Sequence, residues 1–380
     1  MNSKTHPATQ PAEEQERRYP AAQLREQIVA VLQAWGMSAA HAEVTARLMV
    51  QTDLLGVDSH GISMLPHYDR LRGKGLVVAA EPVRVRRFGA TSLWDGQAGL
   101  GHPVAHAAMQ DAISQARLHG IAFAGVRNSH HFGAAGVYAR LASEAGLIGI
   151  VTSSAKGVLV VPTRASVPVL GTNPIAWAVP AGEGRDDVVL DIATSTSAAN
   201  KVRVRALRDQ PIPAGWVVDE GGQPVEDPQA AHARLFERQG GGLTPLGSNE
   251  TLASHKGYGL GLFAQIVGAS LNGGAFAAAT AADPSLADAP ANIGHSFIVI
   301  DPAALVGLGA FTDSVAGMAD FLHGVVPADP ELPVLVPGDL EAAHWRERQA
   351  GGVPLPGLLV EQLRAVSTRA GVPFVLNPVD

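Results

Sequence analysis

Between Gly101 and Ile192 helical and extended apolar patterns take turns in short runs, and this alternation limits the fold more than any other feature of the sequence. Val104 to His119 has helical spacing and Ile121 to Val126 is a short apolar strand. Gly133 to Ala145 is helical again, closed by Gly146, and Leu147 to Val151 reads as a buried strand. Further strands are expected at Val167 to Leu170, Ile175 to Val179 and Val188 to Ile192. Such β-α-β alternation predicts an α/β core with some parallel pairing.

The flanking segments have a different character. Leu24, Ile28, Val31, Leu32 and Trp35 recur at helical spacing and Gly36 supplies a stop. Ser38 reads as the N-cap of a second helix with Val44, Leu48, Thr52 and Leu55 on one face and Gly56 at its end. A third helical pattern runs from Ile62 to Arg72, with Pro66 tolerable only near its first turn. Val83 to Phe88 alternates apolar with basic residues, as a half-exposed strand would. Asp209 to Leu246 is rich in Pro, Gly and charge and reads as a loop excursion, Tyr258 to Leu271 as an apolar core helix, and Ala275 to Ala291 as a low-complexity segment with little reason to order. A strand at Phe297 to Ile300, a helix at Phe311 to His323, an extended Pro333 to Val336, and helices at Asp339 to Arg348 and Leu358 to Ala370 complete the chain.

Composition excludes several classes of function. A formal charge of −7 with no basic cluster argues against nucleic acid as a partner. The absence of cysteine removes disulfides, thiolate catalysis and cysteine zinc sites. Met1 to Tyr19 is polar, has no apolar run to serve as a signal or anchor, and reads as a mobile tail on a cytoplasmic protein. No membrane partner is expected. No HExxH occurs, and His60 with His67 lacks the i, i+4 spacing of paired metal ligands, so no metal is expected. No G-x-S-x-G elbow is present.

The chemistry centres on Asp58-Ser59-His60-Gly61, between the second and third helical patterns. An unperturbed histidine near pKa ~6.5 can act as general acid or base, and Asp58 and Ser59 are placed to orient its ring. At a helix N-terminus the dipole disfavours imidazolium, so a carboxylate neighbour would be needed to offset it. A solvated loop histidine is the plainer alternative. Asn128-Ser129-His130-His131-Phe132-Gly133-Ala134-Ala135-Gly136 leaves a strand and opens a helix, where free N–H groups and small residues suit a pyrophosphate, or where two polar histidines merely occupy a loop. Thr172 and Asn173 could hydrogen-bond a carboxylate or carbonyl, Asp191 could accept a ribose hydroxyl, and His255-Lys256 puts a cation beside a possible phosphate site; each is equally open to capping and turn chemistry. Gly259-Leu260-Gly261-Leu262-Phe263-Ala264 matches G-x-G-x-x-A, but no strand precedes it and close helix packing explains it better.

In order, the stretches DSHGISMLPHY from Asp58, NSHHFGAAG from Asn128, GTNPIAWAVPAG from Gly171, DIATST from Asp191, HKGYGL from His255, NIGHSFIVIDP from Asn292 and PGD from Pro337 resemble the malate/L-lactate dehydrogenase family. The likeness runs from about Asp53 to Val353. It implies an α/β fold of the L-sulfolactate dehydrogenase kind: a mixed sheet with flanking helices, a non-Rossmann cofactor domain over residues 81–336, and a helical domain from 20–80 and 337–380 carrying the catalytic histidine. It implies His60 as proton donor and Ser59 as its relay partner. Cofactor contacts for NAD or NADP fall on His131, Phe132, Gly133, Ala134, Ala135, Asp191, Ile192, Ala193, Asn200, His255, Lys256, Gly338 and Asp339. Thr172 and Met64 fall at substrate positions, and a homodimer is expected.

Met64 departs from many members, which have an arginine there to clamp the substrate carboxylate. If a helix continues from His60, position 64 lies on its face. A thioether cannot replace a bidentate charged pair, so either Arg70 or Lys201 reaches in or the substrate is bulkier and more apolar. The function implied is hydride transfer between NAD(P)H and C2 of a 2-oxo acid, giving a 2-hydroxy acid. The alternatives are reduction of a cyclic imino acid such as Δ1-piperideine-2-carboxylate or Δ1-pyrroline-2-carboxylate, and a non-catalytic nucleotide-binding protein.

Overall fold

The computed structural model describes residues 16–286 and 289–379. Residues 1–15 of the expected tail lie outside it, but Arg17–Tyr19 is not tail: it forms strand β1, paired antiparallel with β11 (Val353–Leu355). Tyr19 is buried, and that burial anchors the start of the described chain. Helices α1 (Ala21–Ala34) and α2 (Ala39–Leu54) end beside Gly36 and Gly56, both at positive φ as stop residues require. Ser38 holds the N-cap position of α2, though its side chain makes no capping bond. After a single 3₁₀ turn at Ile62–Met64, α3 (Leu65–Gly73) starts with Pro66 in its first turn. Leu24, Ile28 and Leu32 of α1, Met49 of α2, Leu65 and Tyr68 of α3, and Leu363 and Val366 of α12 (Gly357–Ala370) share one apolar core.

A second core surrounds a seven-stranded sheet. Its strands are β2 (Val83–Phe88), β3 (Thr91–Asp95), β4 (Ile121–Ser129), β5 (Ile148–Ser153), β6 (Ile175–Val179), β7 (Val188–Ile192) and β10 (Ile293–Ile300), in the spatial order β2-β3-β4-β10-β5-β6-β7. β3 with β4 is the one parallel neighbour pair; the other five pairings are antiparallel. The expected unit of β4, α5 (Gly136–Ser143) and β5 is present, but β10 lies between its two strands. Within the sheet, parallel pairing is therefore confined to a strand, β3, that the pattern did not reveal. Helix α4 (Gly101–His119) lays Ala105, Ala108, Ala112 and Ala116 on the sheet, where Ala122 and Ala124 of β4 leave room for close approach.

Several expectations need correction. Val167 to Leu170 is no strand; Leu170 makes a single bridge to Val160, and Pro162 and Pro168 remove donors that a ladder would need. β2 is mostly exposed, its three arginines matching its three apolar residues in number. The excursion at 209–246 folds: after α6 (Ala199–Leu207), strands β8 (Val217–Val218) and β9 (Gly242–Leu243) and helix α7 (Pro228–Phe236) enclose a third core with Val202, Ile212, Val217, Leu235 and Leu243. Asp227 caps α7 by accepting from Ala230 N at 2.7 Å, with Pro228 in the first turn. The low-complexity segment contains α9 (Ala277–Ala282).

Helix α8 (Ser254–Gly268) inverts its expected role. It turns Gly257, Gly261, Ala264 and Gly268 inward and leaves Leu260, Phe263 and Ile266 exposed at 43%, 49% and 50%. A Cβ at Gly261 would stand 2.9 Å from Thr194 Oγ1, so close packing is what these glycines serve. Helix α10 (Leu308–His323), though apolar, buries none of its residues, with Phe321 at 75% exposure. Helix α11 (Asp339–Gly351) then returns to α2. Among the described residues no helix is long and apolar enough to cross a membrane.

The sheet tolerates little added volume on its helix-covered face. A Cβ at Gly149 would fall 2.6 Å from Ala139 O and 2.8 Å from Ala142 Cβ, both on α5. Gly149→Ala is expected to destabilise the protein by about 1–3 kcal/mol, seen as a lower urea midpoint; an unchanged midpoint would show that α5 can shift freely.

Candidate active site

The His60 loop is held from both sides. Asp53, in the last turn of α2 and 1% exposed, accepts a hydrogen bond from Ile62 N at 2.8 Å and so satisfies a free donor at the start of the next helical turn. A Cβ on Gly61 would lie 1.8 Å from Asp53 Oδ1, which leaves glycine as the residue that fits. From α11, the largely buried Arg348 donates to Asp53 O at 2.6 Å and pairs with the carboxylate of Asp58. Burial pushes the Asp53 carboxyl well above the usual range, against the opposing bond from Ile62.

Of the two residues expected to orient His60, Ser59 does so, with its Oγ 2.7 Å from Nδ1. Asp58 instead turns to Arg348, and the carboxylate at the helix start is Asp53, bonded to backbone and not to the ring. Burial therefore lowers the pKa of His60. Its ring lies 5.4 Å from that of His131, whose Nδ1 is 2.7 Å from the hydroxyl of Tyr68. Tyr68 is fully buried and its hydroxyl pKa is raised by burial, so it stays a phenol and donates. His131, pushed well below its ordinary pKa by burial and the surrounding histidines, is then neutral with its proton on Nε2.

The sheet topology brings the other motifs to this point. Because β10 and β6 run antiparallel to β4, β5 and β7, the last residues of those three strands adjoin the first residues of the other two. In register, Ser129 faces Ile293, His295 faces Ser153, Thr152 faces Ile175, and Ile175 faces Ile192. The NSHHFG, GTNP, DIATS and NIGH stretches thus share one end of the sheet. His295 braces it, with Nε2 2.9 Å from Ser129 Oγ and Nδ1 2.8 Å from Ser153 Oγ.

Individual site residues divide. Phe132, Ala134 and Ala135 are core residues, and Phe132 is stacked between Tyr138 and His295 at 4.9 and 4.3 Å. Their backbone, not their side chains, is what a ligand could meet. Gly133 adopts φ 79, and a Cβ there would lie 3.4 Å from His60 O. Asp191 already occupies the start of α5, accepting from Gly136 N at 2.7 Å, so the free helix N-terminus expected for a pyrophosphate is filled within the chain. Protein crowds this carboxylate while leaving it solvent access, and desolvation raises its pKa to about 6. Ile192, Ala193 and Thr172 are half-buried; Thr172 O accepts from Thr194 N at 2.9 Å. The Gly338–Asp339 turn docks on β7 through Val189 N to Pro337 O at 2.9 Å, beside the strand that ends in Asp191. Asp339 is itself engaged by Val336 N and His323. Asn200 on α6 and His255 and Lys256 in the first turn of α8 are exposed. A cavity of about 280 Å³ between Val161–Ser166 and Ser248–Ser254 adjoins the start of α8, away from the His60 group.

Met64 is half-buried against the helical core. No helix runs from His60 to it: Gly61 has φ −92 and ψ −135, so the i, i+4 relation expected for these positions does not hold. Arg70 is bonded to His67 Nδ1 at 2.7 Å and exposed, and Lys201 is exposed on α6. Among the described residues no His, Asp and Glu side chains are grouped to hold a metal ion.

The sequence matches the malate/L-lactate dehydrogenase family over residues 19–364. This chain belongs to that family. It is 33% identical over 357 residues to a malate dehydrogenase from Pyrococcus horikoshii, covering 93% of this chain and 96% of that one. The structure of malate dehydrogenase from that organism superposes with a TM-score of 0.82 at 30% identity, over 96% of this chain and 99% of the other. A sulfolactate dehydrogenase from Methanocaldococcus jannaschii gives 0.82 at 30% identity over 94% and 98%. A Δ1-piperideine-2-carboxylate reductase from Pseudomonas syringae gives 0.78 at 29% over 92% and 99%. The fold expected from the family resemblance is the fold observed, a mixed sheet without Rossmann strand order.

Sequence patterns assigned no site role to Tyr68, His102 or Arg348. His102 is fully buried beside Tyr68, ring centroids 5.9 Å apart, with neither ring nitrogen bonded to protein. Burial holds His102 and His295 down to about 3 and His130 to about 4. These rings are neutral when folded and protonate near ~6.5 when unfolded, so between those values the unfolded chain binds more protons. Their stabilising effect is complete above ~6.5 and is lost as pH falls toward the folded values; the raised Asp53 and Asp191 oppose it only in part. The urea midpoint should fall clearly between pH 7 and pH 5, and a constant midpoint would mean these rings are not buried neutral.

Proposed function

We propose that the protein interconverts a 2-oxo acid and its 2-hydroxy acid by hydride transfer, with His60 as the proton donor in reduction. The observation that carries this reading is the meeting of the Ser59–His60 pair, neutral His131 and the Thr172 loop over one end of the sheet. Family membership implies a nicotinamide cofactor, and the residues fit one. The cleft floor offers backbone at His131–Gly133 and an accessible carboxylate at Asp191, a group suited to sugar hydroxyls. Ile192, Ala193, the Gly338–Asp339 turn and, farther out, Asn200, His255 and Lys256 would extend the contact. When bound, the cofactor supplies or accepts the hydride at C2.

The chain's own residues handle the proton. Ser59 fixes the His60 ring through Nδ1, which leaves Nε2 to give a proton to the carbonyl oxygen in reduction and to take it back in oxidation. His131, fixed by Tyr68, presents a neutral N–H donor to the oxygen on which charge develops. Thr172 contributes a hydroxyl toward the substrate. The same donors would serve a cyclic imino acid, a reading supported by the likeness to the piperideine-2-carboxylate reductase.

A homodimer accounts for the apolar faces of α8 and α10, which are too large to leave in water at Leu260, Phe263, Ile266, Met318 and Phe321. Light scattering should give a dimer mass that Phe263→Glu with Ile266→Glu lowers; a monomeric wild type at micromolar concentration rejects it.

A panel of NADH and NADPH against 2-oxo and cyclic imino acids tests the reaction. His60→Gln should lower turnover by roughly 10²-fold or more, and near-normal activity removes it as the acid. Because burial lowers the His60 pKa, kcat/KM for oxidation should be flat at neutral pH and fall as pH drops through a value below ~6.5. Reduction should run in the opposite sense. A bell centred above pH 8 in both directions would assign the proton to another group.

A further inference from the structure

A 2-oxo acid brings a carboxylate into a cleft where burial holds the His102, His130 and His131 rings neutral and where Asp191 already accepts from Gly136 N. Met64 supplies no charge. An anion placed there without a cation would be strongly disfavoured. The candidate cations narrow quickly. Arg348 is committed to Asp58 and Asp53 O, Arg70 sits on His67, Lys201 points to solvent from α6 over the third core, and Lys256 lies at the start of α8 by the cavity away from His60.

Lys156 remains. It lies three residues beyond the end of β5, at the sheet end where the motifs gather, and its side chain is exposed with no acidic partner among the described residues. The preceding residue is locked to the substrate-side turn: Ala155 N donates to Asn173 Oδ1 at 3.1 Å, and a Cβ on Gly171 would stand 2.7 Å from Ala155 Cβ. Lys156 is thereby held beside Thr172. Its charge also bears on the helical side: burial and then Lys156 lower the pKa of His130, and at His67, three residues beyond Met64, burial and then Arg70 act first with Lys156 adding. His130 accepts from His131 N at Nδ1, 2.8 Å, and its buried Nε2 has no partner. The unbonded Nε2–H and the free ammonium are two donors on one stretch of wall, as a carboxylate requires.

We propose that Lys156 is the cation that receives the C1 carboxylate of the substrate, in place of a charge at position 64. This assignment rests on the 2-oxo acid reading above. It selects a substrate with one carboxylate at C1 and an uncharged group at C3.

The test measures steady-state reduction of phenylpyruvate and of its methyl ester by wild type, Lys156→Gln and Lys156→Arg, with NADH affinity followed separately by fluorescence. Lys156→Gln should raise KM for the acid about 10- to 100-fold, the range for a lost charge-assisted bond, while kcat and NADH affinity change little. The ester, which has no charge to anchor, should keep its KM, and Lys156→Arg should retain most of the affinity for the acid. An unchanged KM for the acid in Lys156→Gln, or equal losses on acid and ester, overturns the role of Lys156 while leaving hydride transfer intact. A wild type that binds NADH yet reduces no 2-oxo acid overturns both.

Discussion

Strand β10 is hydrogen-bonded along its length to β4 on one side and β5 on the other, and the position of the chemistry depends on that insertion. In a doubly wound sheet the crossover from β4 through α5 would set β5 directly beside β4. Here a strand from about 140 residues later takes that place and runs the opposite way. Its first residues consequently meet the last residues of both neighbours. His295 uses both ring nitrogens to tie Ser129 to Ser153 across it. Phe132 then stacks on His295, which fixes where the backbone of His131 and Gly133 emerges. The cleft floor is thus a rigid part of the core.

The His60 loop is attached to this floor by fewer and different forces. Arg348 donates to a backbone carbonyl of α2, while its charge goes to Asp58, a residue with substantial solvent exposure. A pair so exposed contributes little Coulomb energy. The stronger constraint is steric and local: Asp53 fills the space that a side chain at position 61 would need and bonds the next backbone N–H. Removing Asp53 would leave a buried donor unsatisfied at a cost of about 1–3 kcal/mol. Loop geometry therefore follows from the Asp53–Gly61 fit, with Arg348 joining it to α11.

Much of this was legible in the sequence, and the failures have physical causes. Helices α1, α2, α11 and α12 and strands β6 and β7 follow from apolar spacing and glycine stops. β3 escaped notice because its five residues include Ser92 and Asp95, whose polar side chains break the apolar run. α8 was misplaced because apolar content says a helix will be covered without saying by what, and the stripe of glycines at 257, 261 and 268 was the better guide to its inward face. Among site residues, His60 and Ser59 meet as the motif suggests. Phe132, Ala134 and Ala135 do not line the cleft with their side chains, since a motif reports position along the chain and not which way a side chain turns. Tyr68 and Arg348 act through contacts 63 and 290 residues apart in sequence, which no local pattern encodes.

The electrostatics of the cleft bear on which substrates can be turned over. His131, His130 and His102 are all displaced toward the neutral form by burial, so these rings carry donors without net charge. Neutral donors can follow charge that appears on the carbonyl oxygen and disappears again, because they do not bind the ground-state anion so tightly that the difference is lost. A fixed cation is useful only for a group whose charge is constant through the reaction, namely the carboxylate at C1. On the proposed reading a second carboxylate would find no further uncommitted cation beside these neutral rings, and its desolvation would go uncompensated. A substrate with an apolar or hydroxylated group at C3 meets no such penalty.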